Sequence, residues 1–270
     1  MVDSEGDLPV PIQPDFMDMP GYRSKVAVWN PGAQKGEALF YEFHTGPRGK
    51  NITLYPDACA NYLIRCGETD PAVLVMGLQT VAVSIPLEPG RTYFGFKPYS
   101  VVGMRDLGFS WRDLVDRRTA CFSSSGGGLD AADIAGVARA PSFENRMAAM
   151  RALAAGRLAD ECCRFPGVAR EELKACAAMG DVRVDALLDG SPLSDRSCRR
   201  AFVDTVGIGA KLYTSIIRFQ GVLRELCAAP RAAVSLTNVA YRTGYSDQAH
   251  LSREFRRFAG ESPSSFLCHR

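Results

Sequence analysis

Apolar positions change their spacing along this chain. Between Ala38 and Phe96 they fall in short runs rich in Val, Ile, Tyr and Phe: Ala38–His44, Asn51–Tyr55, Asn61–Arg65, Ala72–Met76, Thr80–Ile85 and Arg91–Phe96. Turn clusters separate the runs, among them Thr45-Gly46-Pro47-Arg48-Gly49, Gly67-Glu68-Thr69-Asp70-Pro71 and Glu88-Pro89-Gly90. Short runs with regular turn signals predict an antiparallel β-barrel or sandwich. A small barrel can close around one small ligand. Before these runs, Pro9, Pro11, Pro14 and Pro20 make residues 1–25 read as an irregular arm lying across the first domain.

Helical character begins near Asp106, and Asp113–Asp116 suits a short helix. Ser123-Ser124-Ser125-Gly126-Gly127-Gly128 has the composition of a flexible hinge. From Leu129 to Met179 the chain is rich in Ala, Arg, Glu, Leu and Met. Phe143, Met147, Met150, Leu153, Leu158 and Cys162 fall at helical spacing. A helix here can pair with its copy in a homodimer or pack on its own domain, and the pattern fits both.

The sharpest pattern is Ser235–Phe266. Leu236, Val239 and Ala240 form one short apolar seam, and Thr243-Gly244-Tyr245 make a tight turn. Ser246 is read as an N-cap, and Leu251, Phe255 and Phe258 follow at helical spacing. Gln248, His250, Arg253 and Arg257 are left facing outward. A helix of this kind can enter a DNA major groove.

A weaker copy precedes it. Phe202, Gly207 and Tyr213 lie 53 residues before Phe255, Gly260 and Phe266; upstream the offset becomes 52, matching Ser194 with Ser246 and Leu187 with Val239. The first copy thus reads as a helix at Arg183–Gly190, a turn at Ser191-Pro192-Leu193 and a helix at Ser194–Thr205. Cys198 and Phe202 point inward, and Arg196, Arg199 and Arg200 outward. Between the copies, Leu212, Ile216, Phe219, Leu223 and Leu226 mark Lys211–Cys227 as one long joining helix. About 17 residues at ~1.5 Å each span on the order of 25 Å. With the width of the modules added, two reading helices reach successive major grooves.

These residues resemble a family. Ala240, Gly244-Tyr245-Ser246-Asp247-Gln248, His250-Leu251-Ser252-Arg253-Glu254-Phe255, Phe258, Gly260 and Ser262-Pro263 are similar to the DNA-binding domain of AraC/XylS-type transcription regulators. The first copy matches through Leu193-Ser194, Arg196, Arg200, Phe202 and Gly207, with Tyr213 and Arg218 in the joining helix. The resemblance covers about Ala169 to Phe266. It implies that Arg196, Arg199 and Arg200 meet bases or phosphates from the first module, and Gln248, Ala249, His250 and Arg253 from the second. Pro192, Leu188, Cys198 and Gly209-Ala210 depart from the family pattern in the first copy. Tyr55-Pro56-Asp57-Ala58-Cys59 and Phe96-Lys97-Pro98 are similar, more weakly, to one subgroup of β-rich sensor domains that precede such modules.

The chain has 270 residues and a net charge of +2. Residues 181–270 hold 13 Lys+Arg against 9 Asp+Glu, and residues 1–180 hold 19 against 21. The positive excess therefore accompanies the helix-turn-helix pattern. No secretory signal is visible and no run is apolar enough to span a membrane, so the expected location is the cytoplasm. Nine cysteines without a Cys-x-x-Cys read mainly as reduced core residues.

Catalytic signatures are missing. His44, His250 and His269, the three histidines, are too far apart in sequence pattern for a metal cluster. No Walker loop, Rossmann fingerprint or Gly-x-Ser-x-Gly occurs. A carboxylate pair of Asp57 and Glu42 is conceivable inside a barrel. The expectation is an α+β protein, not an enzyme, without metal or cofactor. Residues 1–122 would be a β-rich regulatory domain, 123–165 a hinge and helical linker, and 166–270 a tandem helix-turn-helix domain. Its partners would be double-stranded promoter DNA, RNA polymerase, a second copy of itself and a small-molecule effector. Two other classes compete: a redox or metal sensor using Cys59, Cys66, Cys162 or Cys163, and a DNA repair or modifying enzyme.

Overall fold

The structure, a computed structural model, describes residues 2–4, 10–30, 36–99, 111–120, 131–158, 175, 178–181, 194–228, 230 and 234–269. The strands are β1 (Val2–Ser4), β2 (Arg23–Asn30), β3 (Gly36–His44), β4 (Lys50–Leu54), β5 (Asn61–Cys66), β6 (Ala72–Met76), β7 (Val83–Leu87), β8 (Thr92–Pro98) and β9 (Arg118–Ala120). Seven of them form one sheet in the order β1-β2-β3-β8-β5-β6-β9, and β4 pairs with β7 in a separate ribbon. All pairings are antiparallel except that of β1 with β2.

This corrects the expectation of a barrel. β1 and β9 stand at opposite edges of the sheet and do not meet. The reason is that both faces are already covered. On one face Phe40, Tyr62, Ile64, Phe94 and Phe96 pack with Ile134, Val137, Phe143 and Met150 of two helices, α2 (Ala131–Ala138) and α3 (Phe143–Leu153). On the other, Leu39, Tyr41, Phe43, Leu63 and Tyr93 pack with Ile52, Leu54, Ile85 and Leu87 of the ribbon and with Phe16. Strands buried on both faces read as near-continuous apolar runs, and the polar exceptions inside β3 and β8, Glu42 and Lys97, are ion-paired.

The proline-rich start is irregular only in part. Pro14–Met17 forms a short helix, α1, and the chain enters β2 at Arg23. The run expected at Thr80–Ile85 begins as a strand only at Val83. Thr80 is drawn away instead: its backbone N–H and hydroxyl both donate to the Asp116 carboxylate, each at 2.6 Å. The short helix expected at Asp113–Asp116 is a 3-10 turn at Trp111–Leu114. α3 ends in one wide turn, Ala154–Leu158. The Ser123–Gly128 hinge, the helical continuation through Cys162, and the first module's helix at Arg183–Gly190 with its turn at Ser191–Leu193 lie outside the described residues.

The two carboxylates considered as a pair have separate cationic partners. Glu42 accepts from Arg23 and Arg146, each at 2.6 Å, and so fastens α3 to the sheet. Asp57 is buried in an ion pair with Lys97, and accepts from the Gln13 side-chain amide at 2.8 Å and the Cys59 backbone N–H at 3.1 Å. Buried charges persist only when compensated in this way.

Beyond residue 194 the described chain is helical: α4 (Asp195–Val206), α5 (Ala210–Ala228), α6 (Leu236–Arg242), α7 (Gln248–Ala259) and α8 (Pro263–Cys268). The long joining helix expected at Lys211–Cys227 is α5, 19 residues and thus about 28 Å long. Its apolar stripe belongs to the same core as the sheet face that carries α2 and α3. Phe219 touches Tyr55 on one side and Phe255 and Phe258 on the other, and Tyr55 meets Phe266 edge-on at 6.0 Å.

Hydrogen bonds cross the same junction. Gln220 is buried on α5 and uses both ends of its amide. Its oxygen accepts from the Ile12 backbone N–H at 2.6 Å, and its nitrogen donates to the Pro56 carbonyl at 2.7 Å. Arg224 donates to the Val10 carbonyl at 2.6 Å, and the Ala82 N–H to the Phe258 carbonyl at 2.7 Å. The proline-rich arm therefore runs against the joining helix. Gln220→Ala would strand one part-buried donor, the Ile12 N–H, and one buried acceptor, the Pro56 carbonyl, each at a cost of about 1–3 kcal/mol. Urea unfolding of that variant should show a loss of about 2–5 kcal/mol; an unchanged midpoint would mean that the amide is dispensable at the junction.

Candidate nucleic-acid interface

The 53-residue echo is a repeat of geometry. α4 and α7 have the same length of 12 residues, and each ends on a glycine with positive φ, Gly207 at 92° and Gly260 at 80°. In each module the next helix sends an aromatic ring back onto the reading helix. Phe202 meets Tyr213 at 5.5 Å, and Phe255 meets Phe266 at 5.6 Å, both edge-to-face. Such pairs add about 0.5–1.5 kcal/mol beyond their area. Cys198 and Leu251 occupy the equivalent inward position and both are buried.

One detail of the expected alignment changes. The N-cap of α7 is Asp247, not Ser246. The Asp247 carboxylate accepts the His250 backbone N–H at 2.7 Å, as the Ser194 hydroxyl accepts that of Ser197 at 3.3 Å in α4. The caps therefore also stand 53 apart, and the one-residue slip lies before them in the sequence. The His250 N–H, with the Ser246 hydroxyl, lowers the Asp247 carboxyl below its ordinary value. That capping contribution is present at neutral pH and is lost as the pH falls through the lowered value. Gly244, in this turn, has φ +72°, and a Cβ there would come within 2.8 Å of the Asp181 carboxyl. Glycine is needed on both counts.

Every predicted reading residue lies on the outer side of its helix. Arg196, Arg199 and Arg200 are exposed on α4, while Cys198 and Phe202 face inward. On α7, Gln248, Ala249 and Arg253 are exposed and His250 is half-buried. His250 is held by its surroundings: Nδ1 lies 3.2 Å from the Ser246 hydroxyl, and the ring meets Tyr245 edge-on. Gln248 is tied to the scaffold helix α6, where the Thr237 hydroxyl donates to its side-chain oxygen at 3.0 Å. Arg256 and Arg257 extend the exposed positive face.

The joining helix orients the modules. Arg218 on α5 donates to the Gly180 carbonyl at 3.0 Å and lies over the Tyr245 ring at 5.4 Å. It thus touches the segment before the first module and the turn of the second. The sequence reading missed Asp204, although its i+4 spacing from Arg200 is a helix-pair signal. Asp204 lies 3.5 Å from Arg200 and 3.8 Å from Arg112, in the 3-10 turn between β8 and β9. Beside it, a Cβ on Gly207 would crowd Val115 and the Trp111 carbonyl at 2.8 and 3.0 Å. The end of the first reading helix is thereby pressed against the N-terminal part.

Residues 190–268 match a family model described as a helix-turn-helix domain. The C-terminal part is a helix-turn-helix domain of the AraC type. No curated protein matches the chain. Among solved structures the chain is similar to ToxT from Vibrio cholerae O395, at 10% identity over 92% of this chain and 97% of that one, with a TM-score of 0.40. It is similar also to the same protein bound to (E)-4-(8-methylnaphthalen-1-yl)but-3-enoic acid, at 11% identity over 92% and 98%, with a TM-score of 0.42.

Among the described residues, no group of three or more His, Cys, Asp or Glu could hold a metal, and no helix is long and apolar enough to cross a membrane. Cys59, Cys66 and Cys198 are buried thiols, and burial pushes Cys66 up to about 11. Cys162 and Cys163 lie outside the described residues. The thiolate is the reactive form, so Cys66 should remain unmodified when the native protein is treated with iodoacetamide at pH 8, while exposed Cys268 is labelled before the buried Cys59, Cys66 and Cys198. Peptide mass spectrometry reads the result. Rapid labelling of Cys59 or Cys66 without unfolding would restore the redox-sensor class.

Proposed function

We propose that this chain is a sequence-specific transcription regulator that reads two successive major grooves. Arg196, Arg199 and Arg200 act from α4, and Gln248, Ala249, His250 and Arg253 from α7. The observation that carries the reading is the duplicated module: two equal helices, capped and pinned alike, each with an outer polar face, joined by one helix of about 28 Å. Two reading helices joined by a helix of that length suit successive major grooves, about 34 Å apart on one face of a duplex.

The three arginines of α4 supply most of the affinity, because guanidinium groups clamp phosphates or pair bidentately with guanine. Gln248 and His250 on α7 set register and base preference. Residues 1–122 act as the regulatory domain, 123–165 as hinge and linker, and 166–270 as the DNA-binding domain. A small-molecule effector or a partner bound by the first domain would act through the contacts at Gln220, Ala82 and Gly207. It need only favour one of two arrangements of the junction over the other. A homodimer formed through the outer side of α3, and contact with RNA polymerase at the promoter, complete the reading. Such a regulator works in the cytoplasm, with its DNA, and has no catalytic task.

The test is quantitative binding to a duplex selected from a randomised library. Arg200→Ala should weaken binding about tenfold and lower the slope of log affinity against log salt by roughly one. Gln248→Ala should relax base preference at one position. If neither variant changes affinity or preference, the groove assignment fails.

A further inference from the structure

The hydroxyl of Thr237 has no role in the apolar seam of α6. It is exposed at the second position of that helix and donates to Gln248 Oε1, 11 residues onward, at 3.0 Å. Gln248 is the exposed first residue of α7 and belongs to the groove contact proposed above. We infer that Thr237 is a positioning residue that makes Gln248 a reader of guanine rather than adenine. The inference rests on the proposed groove contact of α7 and goes further by naming the base.

A glutamine amide is ambiguous. Its usual pairing with adenine is bidentate, the oxygen accepting from N6–H and the nitrogen donating to N7. That geometry requires both ends of the amide side by side on the base edge. Here the Thr237 hydroxyl occupies one lone pair of the oxygen and draws it toward α6, which leaves the NH2 group as the freer end of the amide. A leading donor meets a second donor at adenine N6, but two neighbouring acceptors at guanine, N7 and O6. The contact is weak in the free protein, because water competes for both groups. Against DNA the water leaves, and the bond strengthens as the local dielectric falls. On the other side, His250 is likewise held, through Ser246, so the face is set before the DNA arrives. Ala249 between them is too short to compete for the same base edge.

The experiment is selection from a randomised duplex library by the full chain and three variants. Gln248→Ala identifies the base-pair position that depends on Gln248. At that position the parent protein should select G·C. Thr237→Val removes the hydroxyl at nearly constant shape on an exposed site, and should shift the G·C over A·T ratio there about tenfold towards A·T, other positions unchanged. Thr237→Ser, which keeps the donor, should behave as the parent. Selection of A·T by the parent, no shift in Thr237→Val, or the same shift in Thr237→Ser would each overturn the inference while leaving the groove contact intact. If Gln248→Ala alters no position, the groove contact of α7 falls, and the inference with it.

Discussion

The buried amide of Gln220 fixes the relation between the two halves of this molecule. It sits midway along the joining helix, and both its ends are bonded to backbone in the N-terminal part, at Ile12 and Pro56. A glutamine without these partners would be costly to bury, so the helix can take only the rotation that satisfies them. Gln13 repeats the device one residue on from Ile12. It bonds the backbone N–H and carbonyl of Tyr55 and the carboxylate of Asp57. The arm is thus stitched to the sheet domain and to the helix at adjacent residues.

Around this polar seam the apolar packing is shared, not divided. Phe219 serves the second module and the sheet domain at once, and the first module meets Trp111–Val115 through Gly207. Each module therefore has its own contact with the N-terminal part, in addition to the helix that joins them. A small rearrangement of the sheet domain would be felt at both reading helices, because packed interfaces shift between discrete arrangements rather than deforming continuously.

The legible parts of the sequence were those governed by local rules. The second module was readable because its caps, turn glycine and apolar spacing all agree, and the joining helix because its stripe is unbroken. The strands from β3 to β8 were visible as Val-, Ile- and Phe-rich runs. Strand β2 was hidden behind the prolines of the arm, since Arg23 and Lys25 dilute the signal of Val26, Ala27 and Trp29. The closure of the sheet was misjudged for a physical reason: alternation could not reveal that both faces are covered. Choosing Ser246 over Asp247 as a cap was a matter of one residue, and only the positions of the backbone N–H groups decide it. At the reading face, the exposed residues were legible from helical periodicity. Thr237 and Asp204 were not, because their meaning depends on a neighbour in space.

The paired rings Phe202–Tyr213 and Phe255–Phe266 carry a last implication. Each module has its own aromatic pin, on the side away from its reading residues. Framework and lettering are therefore held by different atoms. The outward side chains can be exchanged one at a time without loosening the helix that displays them, and the two helices can change independently of each other. A duplicated unit built this way is free to drift toward two different half-sites while keeping one skeleton. The faces of α4 and α7 already differ in this way: Arg196, Arg199 and Arg200 of the first correspond to Ala249, Ser252 and Arg253 of the second.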